Sequence, residues 1–183
     1  EAVTSSATKI VCFGITRVSF CSFKIWKRTR SPMSDLFDWQ YPAPFIITWD
    51  IQPQDIDHYN HVNNVAYLSQ QEKLAWAHSK ALGLGFEHYQ QAGRGMVIFR
   101  HELNYLKPAL LGDTLHCATW ITQCDGKITL SREFQYIRAS NGETVYRGHT
   151  QFACVKLATG APTRMPKAFV DVYLPACLAS QGD

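Results

Sequence analysis

The stretch DIDHYNHVNNVAY, Asp55 to Tyr67, places two Asp, two His and three Asn within ten residues and then runs directly into an apolar, helix-like segment. A helix that begins near His61–Asn63 leaves its first backbone N–H groups without intrahelical partners and carries the positive end of its dipole there. Such an end can stabilise the oxyanion that develops on an attacked carbonyl. A carboxylate held just upstream, Asp57, could attack that carbonyl or deprotonate a water beside it. His61 and Asn63, on the same turn, could orient the water or the carbonyl oxygen. The same residue types support a second reading. Asp and Asn are the preferred helix N-caps, so Asp-x-Asp before a helix can also be cap and turn alone. Asp55 has only that structural role. His58 and His61 lack a third ligand at a telling spacing, and no metal site is read here.

The elements that must position this turn follow from periodicity. Ile47, Trp49 and Ile51 alternate with polar neighbours, a strand pattern that follows a Pro-containing lead-in, YPAPF. From Val62 to about Leu82, Val65, Leu68, Ala75 and Leu82 recur at helical spacing, and Gly83-Leu84-Gly85 supplies a stop. Alternation returns over Val97–Leu106, where Val97, Phe99, Leu103 and Tyr105 are expected on one face. A Pro108–Gly112 turn, then Asp125-Gly126 and Asn141-Gly142, separate strands at Thr114–Cys124, Ile128–Arg138 and Thr144–Leu157. A short mixed segment surrounds Lys167–Tyr173. Strand, long helix, then four strands joined by short turns must give a mostly antiparallel sheet, hence an α+β layer arrangement with the sheet curling around the helix.

Composition bounds the class. The chain has 183 residues, 46% hydrophobic and 18% charged, enough for one well-buried domain. The net charge of +3 hides an asymmetry. Residues 1–32 hold six Lys or Arg against Glu1, leaving twelve basic and fourteen acidic side chains in the remainder. The body is therefore mildly acidic, which argues against nucleic acid as a partner. Residues 1–32 are read as a non-core extension ahead of a natural start at Met33, with a transit peptide as the alternative, and residues 33–183 as a single domain. The apolar run IVCFGITRVSFCSF is broken by Arg17 and is too short for a membrane span. Six cysteines without CxxC or ladder spacing, and the lack of any N-x-S/T acceptor, point to a reducing, cytoplasmic setting.

DIDHYNHVNNVAYL resembles the D-x-D-x-x-x-H-V-N-N-x-x-Y pattern of hotdog-fold acyl-CoA thioesterases of the 4-hydroxybenzoyl-CoA thioesterase type. About forty residues on, HELNYLKPALLGDTL resembles that family's Y-x-x-P-A-x-x-G-D segment. The resemblance covers roughly residues 43–157. It implies a hotdog fold, a curved antiparallel five-stranded sheet wrapped around one long central helix, in subunits that pair as a homodimer or homotetramer. It implies hydrolysis of acyl-CoA, or of an acyl-carrier-protein thioester, without cofactor or metal. The catalytic carboxylate falls on Asp57, with His61 and Asn63 beside it and Tyr59, Val62 and Tyr67 as substrate-contacting positions. In related plant acyl-carrier-protein thioesterases the stretch resembles D-x-N-x-H. His61 matches that histidine, whereas Tyr59 stands where the Asn would be. CoA phosphates need surface cations. Arg100 and Lys107 are the leading candidates, with Arg132, Arg138 and Arg147 behind them.

Two rivals remain open. A hotdog enoyl-CoA hydratase resembles D-x-N-P-x-H, with the His five residues after the Asp; His61 lies four after Asp57, and neither the Asn nor the Pro is in place. A non-catalytic acyl or acyl-CoA binding module would keep the fold and lose turnover.

Overall fold

The computed structural model describes residues 36–178; the basic segment 1–32 and Met33 lie outside the described residues. The order is β1 (Phe45–Asp50), α1 (Asn64–Ala81), α2 (Phe86–Ala92), β2 (Arg94–Tyr105), β3 (Thr114–Cys124), β4 (Thr129–Arg138), β5 (Thr144–Lys156) and α3 (Lys167–Ala176). Every strand pair is antiparallel, in the order β1-β3-β4-β5-β2. This is the hotdog fold, a curved five-stranded sheet wrapped around α1. Two helices extend the expected order. α2 is seven residues long and hidden between glycines, its start held by Gly85 N–H donating to His88 Nδ1 at 3.1 Å. The mixed segment near Lys167 is a helix as well, with Lys167 and Asp171 paired one turn apart at 2.6 Å. Among the described residues no helix is long and apolar enough to cross a membrane.

α1 begins two residues later than its periodicity implies. Val62 forms an antiparallel bridge with Ile56, and Asn63 is the N-cap, its Oδ1 accepting from Val65 N–H at 2.8 Å. At the other end Gly83 takes φ +96°, which lets the chain leave the helix where a side chain would be strained. The face packed on the sheet is not the Val65–Leu68 stripe. It carries Tyr67, Gln71, Leu74 and His78, while Val65 is 71% exposed. Polar residues can occupy this face because the sheet satisfies them. Gln71 Nε2 donates to Thr150 Oγ1 at 2.8 Å, and Tyr146 OH donates to Gln71 Oε1 at 2.6 Å. Gly148 permits the approach: a Cβ there would stand 2.5 Å from Gln71 Oε1.

The expected single face of β2 is broken by a bulge. Ile98 pairs with Phe152 and Arg100 with Gln151, so Phe99 is an extra residue and the alternation slips by one. Met96, Ile98, His101, Leu103 and Tyr105 therefore point inward, opposite alternate β5 residues. Val97 faces the other side of the sheet, away from Leu103 and Tyr105.

Between sheet and helix lies a core of Leu74, Leu115, Cys117, Phe134, Tyr136 and Val145, with the rings of Tyr67 and Tyr146 stacked at 5.1 Å between centroids. A second cluster, including Leu84, Tyr89, Ile121, Phe169 and Tyr173, joins α2 and α3 to the sheet. The lead-in crosses the outer face, where Trp120 Nε1 donates to Pro42 O at 3.0 Å and Tyr41 packs edge-on against the same indole. Cys117, Cys124, Cys154 and Cys177 are free thiols, and burial pushes the Cys117 thiol well up.

Candidate active site

The Asp55–Asn63 segment closes on itself before α1 begins. Asp57 N–H donates to His61 O at 2.8 Å and Asn63 N–H to Asp55 O at 2.7 Å, on either side of the Ile56–Val62 bridge. Asn60 at the tip takes φ +61°, a conformation Asn tolerates better than most side chains. Asp55 anchors the base: its Oδ2 accepts from Gln52 N–H at 3.0 Å and from Trp49 Nε1–H at 3.3 Å, the structural role expected for it. Val62 N–H donates to Ala109 O at 2.9 Å and ties the turn to the Pro108–Gly112 turn. That second turn is itself braced by Asp113, whose Oδ2 accepts from Leu110 N–H and Arg138 Nε, each at 3.0 Å.

Asp57, His61 and Asn63 are thus brought together at the foot of α1. Asp57 is half-buried, and its Oδ1 accepts from Tyr59 N–H at 2.8 Å and His61 N–H at 3.3 Å. Its Oδ2 accepts no hydrogen bond among the described residues. One carboxylate oxygen is anchored and the other is available for chemistry. The His61 side chain is exposed beside it.

The backbone donors differ from the sequence expectation. The N–H groups of His61, Val62 and Asn63, expected to hold an oxyanion, are all engaged, by Asp57 Oδ1, Ala109 O and Asp55 O. Closing the turn consumes them. Within the first helical turn Val65 N–H is capped by Asn63 Oδ1, and Ala66 and Tyr67 N–H donate to Asn63 O. Asn64 N–H is left with no acceptor among the described residues, and it is the first helical residue.

Other assigned residues separate. Tyr59 is 81% exposed at the tip. Val62 and Tyr67 are core residues, not substrate walls, and burial pushes the Tyr67 hydroxyl up to about 12. Lys107 is exposed on the turn that packs against the motif, 3.9 Å from Glu143. Arg100 projects from the outer face of β2 and pairs with Glu102 at 2.5 Å. Arg138 is taken up in the Asp113–Glu143 brace, and Arg147 Nη1 donates to Gln40 Oε1 at 3.1 Å. Arg132 is no surface cation: it is 2% exposed and points inward.

The Val65–Leu68 stripe of α1 and the inner faces of β2, β4 and β5 line an open-mouthed cavity of about 550 Å³ that begins one residue beyond Asn64. Val65, Leu68, Ala75, Trp76, Met96 and Phe152 make most of its wall apolar. His101 adds a polar patch, its Nδ1 2.9 Å from Thr150 Oγ1, and burial pushes its pKa down. Arg132, expected as a surface cation for phosphate, reaches this cavity instead, as does Ser79, which the sequence reading did not single out. A signal existed, since Arg132 has the same parity as Leu130, Phe134 and Tyr136.

Residues 51–172 match the model of the thioesterase-like superfamily. Similar solved structures include a 1,4-dihydroxy-2-naphthoyl-CoA thioesterase from Synechocystis, 16% identical over 72% of this chain and 96% of that one, TM-score 0.65. A 12:0-ACP thioesterase from Umbellularia californica is 16% identical over 77% of this chain and 56% of that one, TM-score 0.67. A Staphylococcus aureus protein solved in complex with CoA is 18% identical over 73% of this chain and 85% of that one, TM-score 0.66. At such identities the likeness is one of fold. No curated protein matches the sequence.

Proposed function

Because the chain belongs to the thioesterase-like superfamily, we propose that it hydrolyses acyl-CoA thioesters to the free acid and CoA. Asp57 Oδ2 takes a proton from water, and the hydroxide so formed attacks the thioester carbonyl. The tetrahedral oxyanion lies against Asn64 N–H at the positive end of α1. Its collapse expels CoA as a thiolate, which takes up the proton held by Asp57. The same carboxylate could instead attack directly, giving an acyl-aspartyl anhydride that water then opens. His61 orients the water, and Asn63 holds the helix start on which the Asn64 donor depends. The observation that carries this reading is a carboxylate with one oxygen anchored in the closed turn that leads to an unspent helical N–H, with an apolar cavity beginning at the next residue, Val65.

CoA or an acyl-carrier protein fits as the leaving group, since the similar structures include thioesterases named for each. A phosphate would be met by Lys107, which is exposed and only loosely paired with Glu143 at 3.9 Å, whereas Arg100 would first have to give up Glu102. The protein is read as a homodimer joined along β2. That strand is a sheet edge with Val97, Ile98 and Phe99 exposed, and a second copy would pair its free backbone groups and cover the cavity mouth.

The test is hydrolysis of short-, medium-, long-chain and aryl-CoA by the wild type and by Asp57→Asn, with the acid product measured directly. Wild-type turnover should fall roughly 10²- to 10⁴-fold in the variant, with less change in binding. An Asp57→Asn enzyme with undiminished turnover removes the assignment. Binding without turnover in the wild type leaves a binding module.

A further inference from the structure

The cavity along α1 is apolar for most of its length, yet it contains a buried cation. Arg132 extends inward from β4, opposite Ile121 of β3 and Thr150 of β5, and is 2% exposed. Its guanidinium donates from Nη1 to His78 Nδ1 and from Nη2 to Ser79 Oγ, each at 2.9 Å, and lies 5.9 Å from the centre of the Tyr173 ring. Ser79 Oγ is in turn 3.0 Å from Tyr173 OH, which also meets Tyr89 OH. None of these partners brings a negative charge. His78 Nδ1 carries no proton if it accepts from Arg132, and burial pushes the Tyr89 hydroxyl far above its ordinary range, so it stays neutral. No Asp or Glu among the described residues lies within ion-pair distance of Arg132. The acidic residue on the cavity wall is Glu72, seven residues before Ser79 and so about 10 Å away along α1.

An arginine cannot shed its proton, and burying it without a counter-charge is costly. Its planar fork is suited to a carboxylate, which it can hold with two parallel hydrogen bonds. The other end of the same cavity adjoins the Asn64 N–H. Fifteen residues of α1 separate Asn64 from Ser79, a span of roughly 22 Å at about 1.5 Å per residue. An extended chain covers about 1.2 Å per bond, so the cavity can accommodate long acyl groups.

We propose that Arg132, with Ser79 and Tyr173, binds a carboxylate at the end of the acyl group remote from the thioester, making dicarboxylic acyl-CoA the favoured substrate class. The substrate part of this inference rests on the thioesterase reading above. Arg132 is then the specificity-determining residue. Apolar walls carry the methylene chain, and the guanidinium selects its far end.

The experiment compares kcat/KM for matched acyl-CoA pairs that differ only in ending with a methyl or a carboxylate, at chain lengths up to about sixteen carbons. Charge-assisted hydrogen bonds of this kind imply a preference of about 10- to 100-fold for the carboxylate member at the best length. Arg132→Met should abolish or reverse that preference while methyl-terminated thioesters are still hydrolysed. Ser79→Ala should weaken it. Because Arg132→Met can also fail to fold, free dicarboxylates and their dimethyl esters, which carry no carboxylate, are tested against the wild type by thermal shift. Only the dicarboxylates should raise the melting temperature. Hydrolysis with no carboxylate preference and no dicarboxylate stabilisation overturns the inference and leaves the thioesterase reading standing. Dicarboxylate stabilisation with no thioester turned over does the reverse, supporting the Arg132 site and removing the thioesterase.

Discussion

Asn63 separates a structural account of the helix start from a chemical one. Its Oδ1 accepts from Val65 N–H at 2.8 Å, and its backbone oxygen accepts from Ala66 and Tyr67. Asn63→Ala removes the side-chain acceptor and leaves one helical N–H unpaired. The expected loss is about 1 kcal/mol of stability, within a range of about 0.5–2. For a domain of this size that lowers the melting temperature by about 3 °C. Frayed at its start, α1 holds the Asn64 N–H less firmly, so turnover should fall as well. Asn63→Ser keeps an acceptor of nearly equal capping strength but removes the amide donor. If Asn63 acts only as a cap, the Ser variant keeps both the urea midpoint and kcat. If its Nδ2 touches the substrate, the Ser variant stays stable but loses about fivefold in kcat/KM, the worth of one neutral hydrogen bond of about 1 kcal/mol. Urea unfolding and steady-state kinetics on the three proteins decide the matter. A Ser variant as unstable as the Ala variant refutes the capping argument, and a stable but slow Ser variant makes Asn63 a substrate contact.

Other predictions address the core, the histidines and the sheet edge. The Tyr136 hydroxyl is buried and has no hydrogen-bond partner among the described residues, so Tyr136→Phe should be neutral or stabilising by up to about 1–3 kcal/mol in urea unfolding; a loss of stability would contradict that. Burial depresses the pKa of both His101 and His116 below 6.5. Protons therefore bind the unfolded chain more tightly, so this contribution is full above about 6.5 and is lost as pH falls through the folded values. Urea midpoints should drop on acidification across that window. The slope should flatten in His101→Gln/His116→Gln, and an unchanged slope would show that other groups set it. Ile98→Glu places a charge on the inner side of the β2 edge and should shift the protein to monomer in sedimentation velocity, whereas a wild-type protein already monomeric would rule out pairing along β2.

The order of the five strands and the long helix, and the place of the turn, were legible because they rest on local physics. Alternation in Ile47–Ile51, helical spacing after Asn63 and the turn glycines Gly83, Gly126 and Gly142 each act within a few residues. The antiparallel sheet followed, since short connections permit little else. The cluster of Asp57, His61 and Asn63 was equally visible, because all three lie on one closed turn. Which N–H remains unspent in that turn was not. It depends on Asp55, Asp57 and Ala109 each accepting one donor, and Ala109 arrives from more than forty residues away.

Facing was the other quantity beyond local reach. One extra residue at Phe99 moves Val97 to the far side of the sheet from Leu103. The more apolar stripe of α1 lines a cavity, while Gln71 and His78 turn to the sheet because Thr150, Tyr146 and Arg132 are there to receive them. The parity of Arg132 with Leu130, Phe134 and Tyr136 hints at its inward facing, but the register of three strands decides which groups meet it there. The chain alone thus determined which elements form and where their chemistry is concentrated, since backbone preferences and short turns act locally. The tertiary structure decided which polar groups are already satisfied and which remain available, because each buried donor is settled by a partner distant in sequence.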